Sequence, residues 1–316
     1  MKLREKIQMF REFGFLPAFA SMCSSAIRRP MAITRWKEKV IIDWLREHCG
    51  SVVEKYKSLS TAEISRGEVN SDGVIWSIWW QGEENAPEIV KMCFAGMNRH
   101  RGNHPLKIIT QDNYRDYIDI PEHITLKVQE GIISLTHFSD MLRLYLLYHY
   151  GGLWLDATML VTEDIPEEIF AREYYSIKGG FNPDSHAVTM GRWTSFLQAA
   201  QKGNMLCGFA LDMHYEYWKT YTMPIDYILI DYMFALAYED FAECRRMLDS
   251  VPVNNAGVDR LTPLLNDEWD SGKFADLRAS AKFFKLTWKH KFQKSISGRE
   301  TMYGHLYADL MSSARP

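Results

Sequence analysis

The feature that most constrains this chain is a pair of glycines, Gly151 and Gly152, set between a helical and an extended pattern in residues 139–158, SDMLRLYLLYHYGGLWLDAT. Leu142, Tyr145 and Leu146 recur at helical spacing, so one face is apolar and faces a core. Ser139 is an expected N-cap, because its hydroxyl can accept from a free N–H of the first turn. The glycines end the helix, since glycine takes the left-handed conformation without a Cβ clash. Residues 153–160 then alternate as a strand, with Trp154, Asp156 and Thr158 on one side and Leu153, Leu155, Ala157 and Met159 on the other. An Asp in so apolar a strand costs energy unless a cation or donor meets it. Asp140 and Arg143 lie three apart on the helix and share a face. Two carboxylates and a guanidinium are therefore expected at one end of a sheet.

The chain before this unit alternates in the same manner. Residues 74–80, VIWSIWW, form a continuous apolar run that fits a buried parallel strand, ended by Gln81 and Gly82. Pro87 opens a helix to about Arg99. Residues 106–110 make a second strand, and a Tyr-rich helix follows Asp112 and Asn113. Strand and helix in turn predict an α/β fold, an open and mainly parallel sheet with helices on both faces. Ligands of such sheets sit beyond the carboxyl ends of the strands, where Trp79 and Asp156 fall. Residues 36–49 and 51–59 read as a helical hairpin ahead of the sheet, joined to it by a polar linker over 63–73. After residue 165 a strand is expected over 173–180 and helices over 195–201, 205–219, 225–238 and 241–249. A basic, aromatic stretch follows at 283–292, with Lys285 and Lys289 spaced as on one helix face.

The 316 residues suffice for one large α/β unit, divided here into a helical extension over 1–73 and a sheet-bearing unit over 74–316. A net charge of −3 gives no pull toward nucleic acid. The five cysteines are scattered, with no CxxC or Cys/His cluster, which fits a reducing cytosol and neither zinc nor a disulfide framework. No run is long enough to span a membrane. Residues 1–30 carry Ile7, Phe10, Phe13 and Leu16 among Lys2, Arg4, Lys6, Arg11, Arg28 and Arg29. They read equally as a foot on an anionic membrane surface or as a helix packed on its own domain. Glu5 and Glu12 and the short apolar patch speak against a secretory signal.

Three readings of the Asp140, Arg143 and Asp156 group stand: a holder of a metal–diphosphate, a hydrolase acid/base pair, or a structural ion pair, which spacing alone favours. A magnesium or manganese ion could be held by Asp156 with phosphates, Thr158 adding only a neutral hydroxyl.

The segments IWSIWWQGEENAPEIV, HFSDMLRLYLLYHYGGLWLDAT and FKLTWK together resemble the bacterial capsular polysaccharide synthesis family of glycosyltransferases. The resemblance runs from about residue 74 to 307. It implies a GT-A-type fold, with a nucleotide-sugar half at about 74–180 and an acceptor half at about 181–316. It implies Trp79 against the nucleotide base, with Gln81 beside it, and Asp140 and Arg143 on the donor sugar. Asp156 matches the first Asp of a DXD motif, and Thr158 stands where the second, the usual metal ligand, is expected. Lys285 and Lys289 would neutralise the departing diphosphate. Alternatively they lie on a solvated or membrane-facing helix face. Tyr303 and His305 are candidates to close over the nucleotide, and Asp226, Asp231, Asp184 and His186 to meet the acceptor. For Asp226 an N-cap and for Asp231 a surface charge are equally good readings. His137 reads as a hydrogen-bonded core histidine. The implied activity is transfer of a sugar, with retention, from a UDP-type donor to a hydroxyl of a glycan or lipid-linked oligosaccharide, at the inner membrane face. The rival readings are a non-catalytic nucleotide-sugar or glycan binder on the same fold, and a carboxylate-pair glycosidase.

Overall fold

The computed structural model describes residues 3–24, 30–59 and 73–312. The expected linker lies outside these except for Gly73, as do Lys2, Arg28 and Arg29. Four helices come first: α1 (Leu3–Phe13), α2 (Phe15–Ser24), α3 (Met31–His48) and α4 (Gly50–Lys57). The last two are the expected hairpin.

The central sheet has five strands, in sequence order β1 (Ile75–Ile78), β2 (Leu106–Ile109), β3 (Gly152–Leu155), β5 (Tyr174–Ser176) and β6 (Leu197–Ala200). Their spatial order is β2-β1-β3-β6-β5. The first three are parallel, and β6 runs antiparallel between β3 and β5, so four strands point one way and one the other. The mainly parallel α/β architecture read from the alternation is thus present. Every residue of β3 and β6 is buried, which means both faces of the sheet centre are covered. Helix α5 (Glu88–His100) connects β1 to β2, starting after Pro87 as expected. A short 3-10 turn at Tyr114–Asp116 and helix α6 (Glu122–Gln129) replace the single Tyr-rich helix.

The helix of the opening motif, α7 (Leu135–His149), begins one turn earlier than Ser139. Its N-cap is Ser134, whose hydroxyl accepts from the His137 N–H at 3.3 Å. Phe138 and Met141 are buried, so the core-facing stripe begins before Ser139 and carries the helix start with it. The glycines behave as expected, at φ +71° for Gly151 and +100° for Gly152. At Gly152 a Cβ would stand 2.2 Å from the Val74 carbonyl oxygen. Leu153 N–H donates to that same oxygen at 2.9 Å, so backbone contact between β1 and β3 demands glycine here.

Three further expectations are corrected. The strand expected over 153–160 breaks after Leu155 into a turn closed by Met159 N–H on the Asp156 carbonyl. It resumes as β4 (Met159–Val161) in a separate sheet with β7 (Phe283–Lys285), so the aromatic basic stretch that holds Lys285 opens as strand, not helix. Residues 195–201, read as helix, contain β6; its buried Leu, Gln and Ala side chains answer to neighbours on both sides rather than to local propensity.

The remaining helices are α8 (Glu167–Ala171), α9 (Met205–Thr220), α10 (Leu229–Asp240), α11 (Ala242–Ser250), α12 (Ser271–Ser280) and α13 (Met302–Ser312). The N-terminal helices pack on the second half: α3 lies against α10 and α4 against α9. Phe13 meets Trp44 edge-on at 5.2 Å and lies 6.5 Å from Tyr217.

Candidate active site

Parallel pairing of Trp76 with Trp154 brings Ile78 level with Asp156, so Trp79 and Asp156 leave the sheet at the same carboxyl edge. Helix α7 packs on β1, β3 and β6 and presents Asp140 and Arg143 to that edge. The Arg143 guanidinium donates to Asp140 and to the Ser195 carbonyl, and lies 5.3 Å from the centre of the Trp154 ring. Trp154 Nε1–H in turn donates to Asp156 Oδ1 at 2.9 Å. The alternation that put Trp154 and Asp156 on one side is what lets this bond form. On the other oxygen, Lys285 Nζ donates to Asp156 Oδ2 at 2.6 Å. Lys285 reaches it because β7 pairs Lys285 with Met159, at the far side of the turn that Asp156 opens. The Phe196 ring supports the ammonium at 5.2 Å, and Asp156 N–H is held by the Phe196 carbonyl at 2.9 Å. Asp140, Arg143, Trp154, Asp156 and Lys285 thus form one connected chain of contacts.

The electrostatics differ between the carboxylates. Burial pushes the Asp140 carboxyl up to about 7, with Arg143 opposing and the charges of Asp156 and Asp231 adding to the rise. Burial also acts on Asp156, but the Lys285 and Arg143 charges outweigh it and hold the carboxyl below its usual range. Asp156 keeps 31% of its side chain exposed, while Asp140 keeps 8%, so Asp156 is the carboxylate a ligand can reach. Asp231 joins the group from α10: it is buried, accepts from Trp193 Nε1–H at 3.0 Å, and is pushed up to about 6 by burial. The reading of Asp231 as a surface charge is therefore corrected. His137 is buried in the core, as expected, 3.9 Å from Asp140, and its Nδ1 has no hydrogen-bond partner among the described residues.

The Trp79 ring meets Trp288 edge-on at 5.9 Å, and Trp288 lies three residues beyond Lys285 in the chain. The Trp79 indole N–H is buried without a partner among the described residues, as is Arg143 Nε. Unpaired buried donors call for an explanation, and a bound oxygen would supply one.

Other candidates fall outside this group. Gln81 is exposed and contributes its carbonyl to Asn85. Lys289 is exposed, and its backbone N–H donates to the Thr287 hydroxyl. Asp226 pairs with Lys37 of α3 at 2.5 Å and accepts from the Ile228 N–H, a turn bond ahead of α10. His186 bonds Thr34 of the same helix at 3.0 Å, and Asp184 accompanies it in the loop, its N–H on Asn182. Tyr303 is buried against Phe292, while His305 stacks on Trp269 and pairs with Glu300. Sequence reading missed Trp193 and Trp288 as parts of the site. Trp288 stood in the FKLTWK segment, but nothing marked Trp193.

A divalent ion would have to share Asp156 with Trp154 and Lys285, which already donate to both oxygens. Thr158 brings no carboxylate; it is buried, and its carbonyl accepts from the Leu286 N–H. Among the described residues no three His, Cys, Asp or Glu side chains are placed to hold a metal ion together. These side chains do not fit a protein-held dication, whose usual shell is several oxygens.

Residues 25–306 match the family described as capsular polysaccharide synthesis protein. The chain belongs to that family. Over 102 residues it is 31% identical to the O-glycosyltransferase braB of Annulohypoxylon truncatum, a match covering 29% of this chain and 24% of that protein. The chain thus spans about a quarter of that relative's length. Among solved structures it is similar to the WbbM bifunctional glycosyltransferase in its apo form, with a TM-score of 0.41 and 11% identity over 77% of this chain and 50% of that one. It is also similar to the PaToxG glycosyltransferase, with a TM-score of 0.35 and 12% identity over 74% and 94%.

Proposed function

We propose that this family member is a glycosyltransferase of GT-A type, moving a sugar from a UDP-type donor to a hydroxyl of a growing surface glycan. The observation that carries the reading is the Asp156–Lys285 pair, set with Asp140 and Arg143 at the carboxyl edge of parallel strands. In this reading the base lies against Trp79 and Trp288, since every base has a face to stack on an indole. Asp156 accepts from hydroxyls of the ribose or donor sugar, and Arg143, braced by Asp140, orients the sugar with its planar fork. The bond between the anomeric carbon and the diphosphate oxygen breaks. A bond to the acceptor oxygen forms, and the acceptor proton passes to the released diphosphate. The family resemblance implies retention, and in this reading no side chain is assigned as a covalent nucleophile.

The acceptor reading is a glycan carried on lipid, met at the cytoplasmic face of a membrane. It is supported by α1 and α2, where Ile7, Phe10, Phe15, Leu16 and Phe19 are exposed together beside exposed Arg4 and Arg11. A panel of nucleotide sugars incubated with the purified chain and a glycan acceptor tests the core of the proposal. Release of UDP coupled to acceptor extension is the expected result. Hydrolysis of a glycan with no nucleotide present, or donor binding without turnover, would sink it.

A further inference from the structure

We propose that Lys285 takes the place of a divalent cation, so that this chain binds and cleaves its donor without metal. The proposal rests on the glycosyltransferase reading above and concerns the same site. Asp156 is the carboxylate at which a bound ion would sit, and it is already matched by a fixed cation. Lys285 belongs to β7, and its pairing with Met159 of β4 sets the ammonium on Asp156 Oδ2 at 2.6 Å through main-chain geometry rather than through a flexible loop. The opposite oxygen takes the Trp154 indole N–H at 2.9 Å. The residue two beyond, Thr158, is neutral, buried and tied by its carbonyl to Leu286, so it cannot complete a second acidic ligand. A dication beside Asp156 would be repelled by the ammonium of Lys285 and the guanidinium of Arg143, whose charges both act on that carboxylate.

What the ammonium offers is what the diphosphate needs. It has three donors, one spent on Asp156, which leaves two for phosphate oxygens. A quarter of the Lys285 side chain is exposed (25%), so the group is held on one side and open on another. As the glycosidic C–O bond breaks, negative charge collects on the diphosphate oxygen. A prepositioned cation at that point favours the transition state over the bound donor. Electrons and protons balance without a co-reactant: the departing oxygen keeps the bonding pair and takes the proton of the acceptor hydroxyl.

The test uses the full chain, freed of metal by EDTA, with UDP as the binding probe in calorimetry and donor turnover as a second readout. Expected are a UDP affinity and a kcat/KM that agree within about twofold between EDTA and millimolar manganese. Lys285→Met keeps the stem against Phe196 and removes the charge. It should weaken UDP about tenfold and lower kcat/KM about 100-fold, with an unchanged circular dichroism spectrum. Lys285→Arg, which keeps the cation, should recover most of the UDP affinity. UDP binding lost in EDTA and restored by manganese overturns the proposal while leaving the donor reading intact. UDP binding in neither condition overturns both.

Discussion

At the scale of single residues, the site is a set of carboxylates tuned apart by their surroundings. Asp156 pairs with Lys285, feels the charge of Arg143 and stays ionised; Asp140 and Asp231 lie deeper and hold protons to higher pH. Asp156→Asn removes the charge that fixes Lys285 yet keeps the shape. We expect kcat/KM to fall by about 100-fold or more with the melting temperature nearly unchanged, checked by UDP release and calorimetry. Trp79→Ala should raise the donor KM by about tenfold with a smaller effect on kcat, since stacking is worth about 1–3 kcal/mol per base; an unaltered KM would remove Trp79 from the nucleotide site. Asp231 predicts a pH effect on stability. Its carboxyl is pushed up to about 6 in the fold, above its unfolded value, so the folded chain binds the extra proton. That contribution is full below about pH 4 and is lost as pH rises through about 6. Asp231→Asn keeps an acceptor for Trp193 and cannot ionise. Its stability relative to wild type should grow by about 1–2 kcal/mol between pH 4 and 7, and a flat difference in melting temperature would refute the burial effect. Asp140, Arg143 and Asp156 were legible in the sequence because helical and strand periods fix which side chains share a face. The Lys285 contact was not, because 129 residues separate it from Asp156.

At the scale of elements, the junction of α7, the two glycines and β3 sets the geometry of the site. It passes the chain from helix to central strand with no loop, so the carboxylates of the two elements converge. Gly152→Ala would press a Cβ against the Val74 carbonyl at 2.2 Å in a backbone conformation L-residues avoid. A loss on the order of 3 kcal/mol is expected, read as a lower urea midpoint, with activity falling in step because Asp156 shifts with β3. A midpoint within error of wild type would show that the backbone contact can relax. The same scale explains what misled the reading of residues 195–201. A short Leu, Gln, Ala segment favours helix locally, but β6 gains two flanking strands and complete burial, which outweigh a propensity difference of tenths of a kcal/mol per residue. The break after Leu155 has a similar origin: alternation continues through Met159, yet the partner changes from β6 to β7.

At the scale of the whole molecule, α1 carries two apolar faces. Met9 and Phe13 are buried, Phe13 against Trp44, while Leu3, Ile7 and Phe10 face outward with Phe15, Phe19 and Trp36 nearby. The buried face is the helix packed on its own domain, one of the two readings; the outward face is where the proposed membrane contact would fall. The outward face continues in ring contacts from Phe10 to Phe15, Phe19 and Trp36. Because it is exposed, Ile7→Ser with Phe15→Ser should leave stability within about 0.5 kcal/mol. It should weaken sedimentation with phosphatidylglycerol vesicles about tenfold or more, given about 1.5 kcal/mol or more for each buried apolar side chain. Arg4→Glu with Arg11→Glu should abolish the preference over neutral vesicles, at about 1 kcal/mol per charge. Equal sedimentation of all variants, or a dimer that accounts for the patch, would remove the membrane from the picture.

The sequence by itself determined the elements whose evidence is local: the glycine-ended helix, the apolar parallel strands, and the shared faces that gather Asp140, Arg143 and Asp156. Period and backbone sterics act over a few residues, so they are written along the chain. Only the tertiary structure decided where β6 and β7 insert, that Asp231 is buried beside the cluster, and that Lys285 and Trp288 join Asp156 and Trp79. Those placements follow from burial and pairing between distant segments, a balance of many partners that no short window of sequence contains.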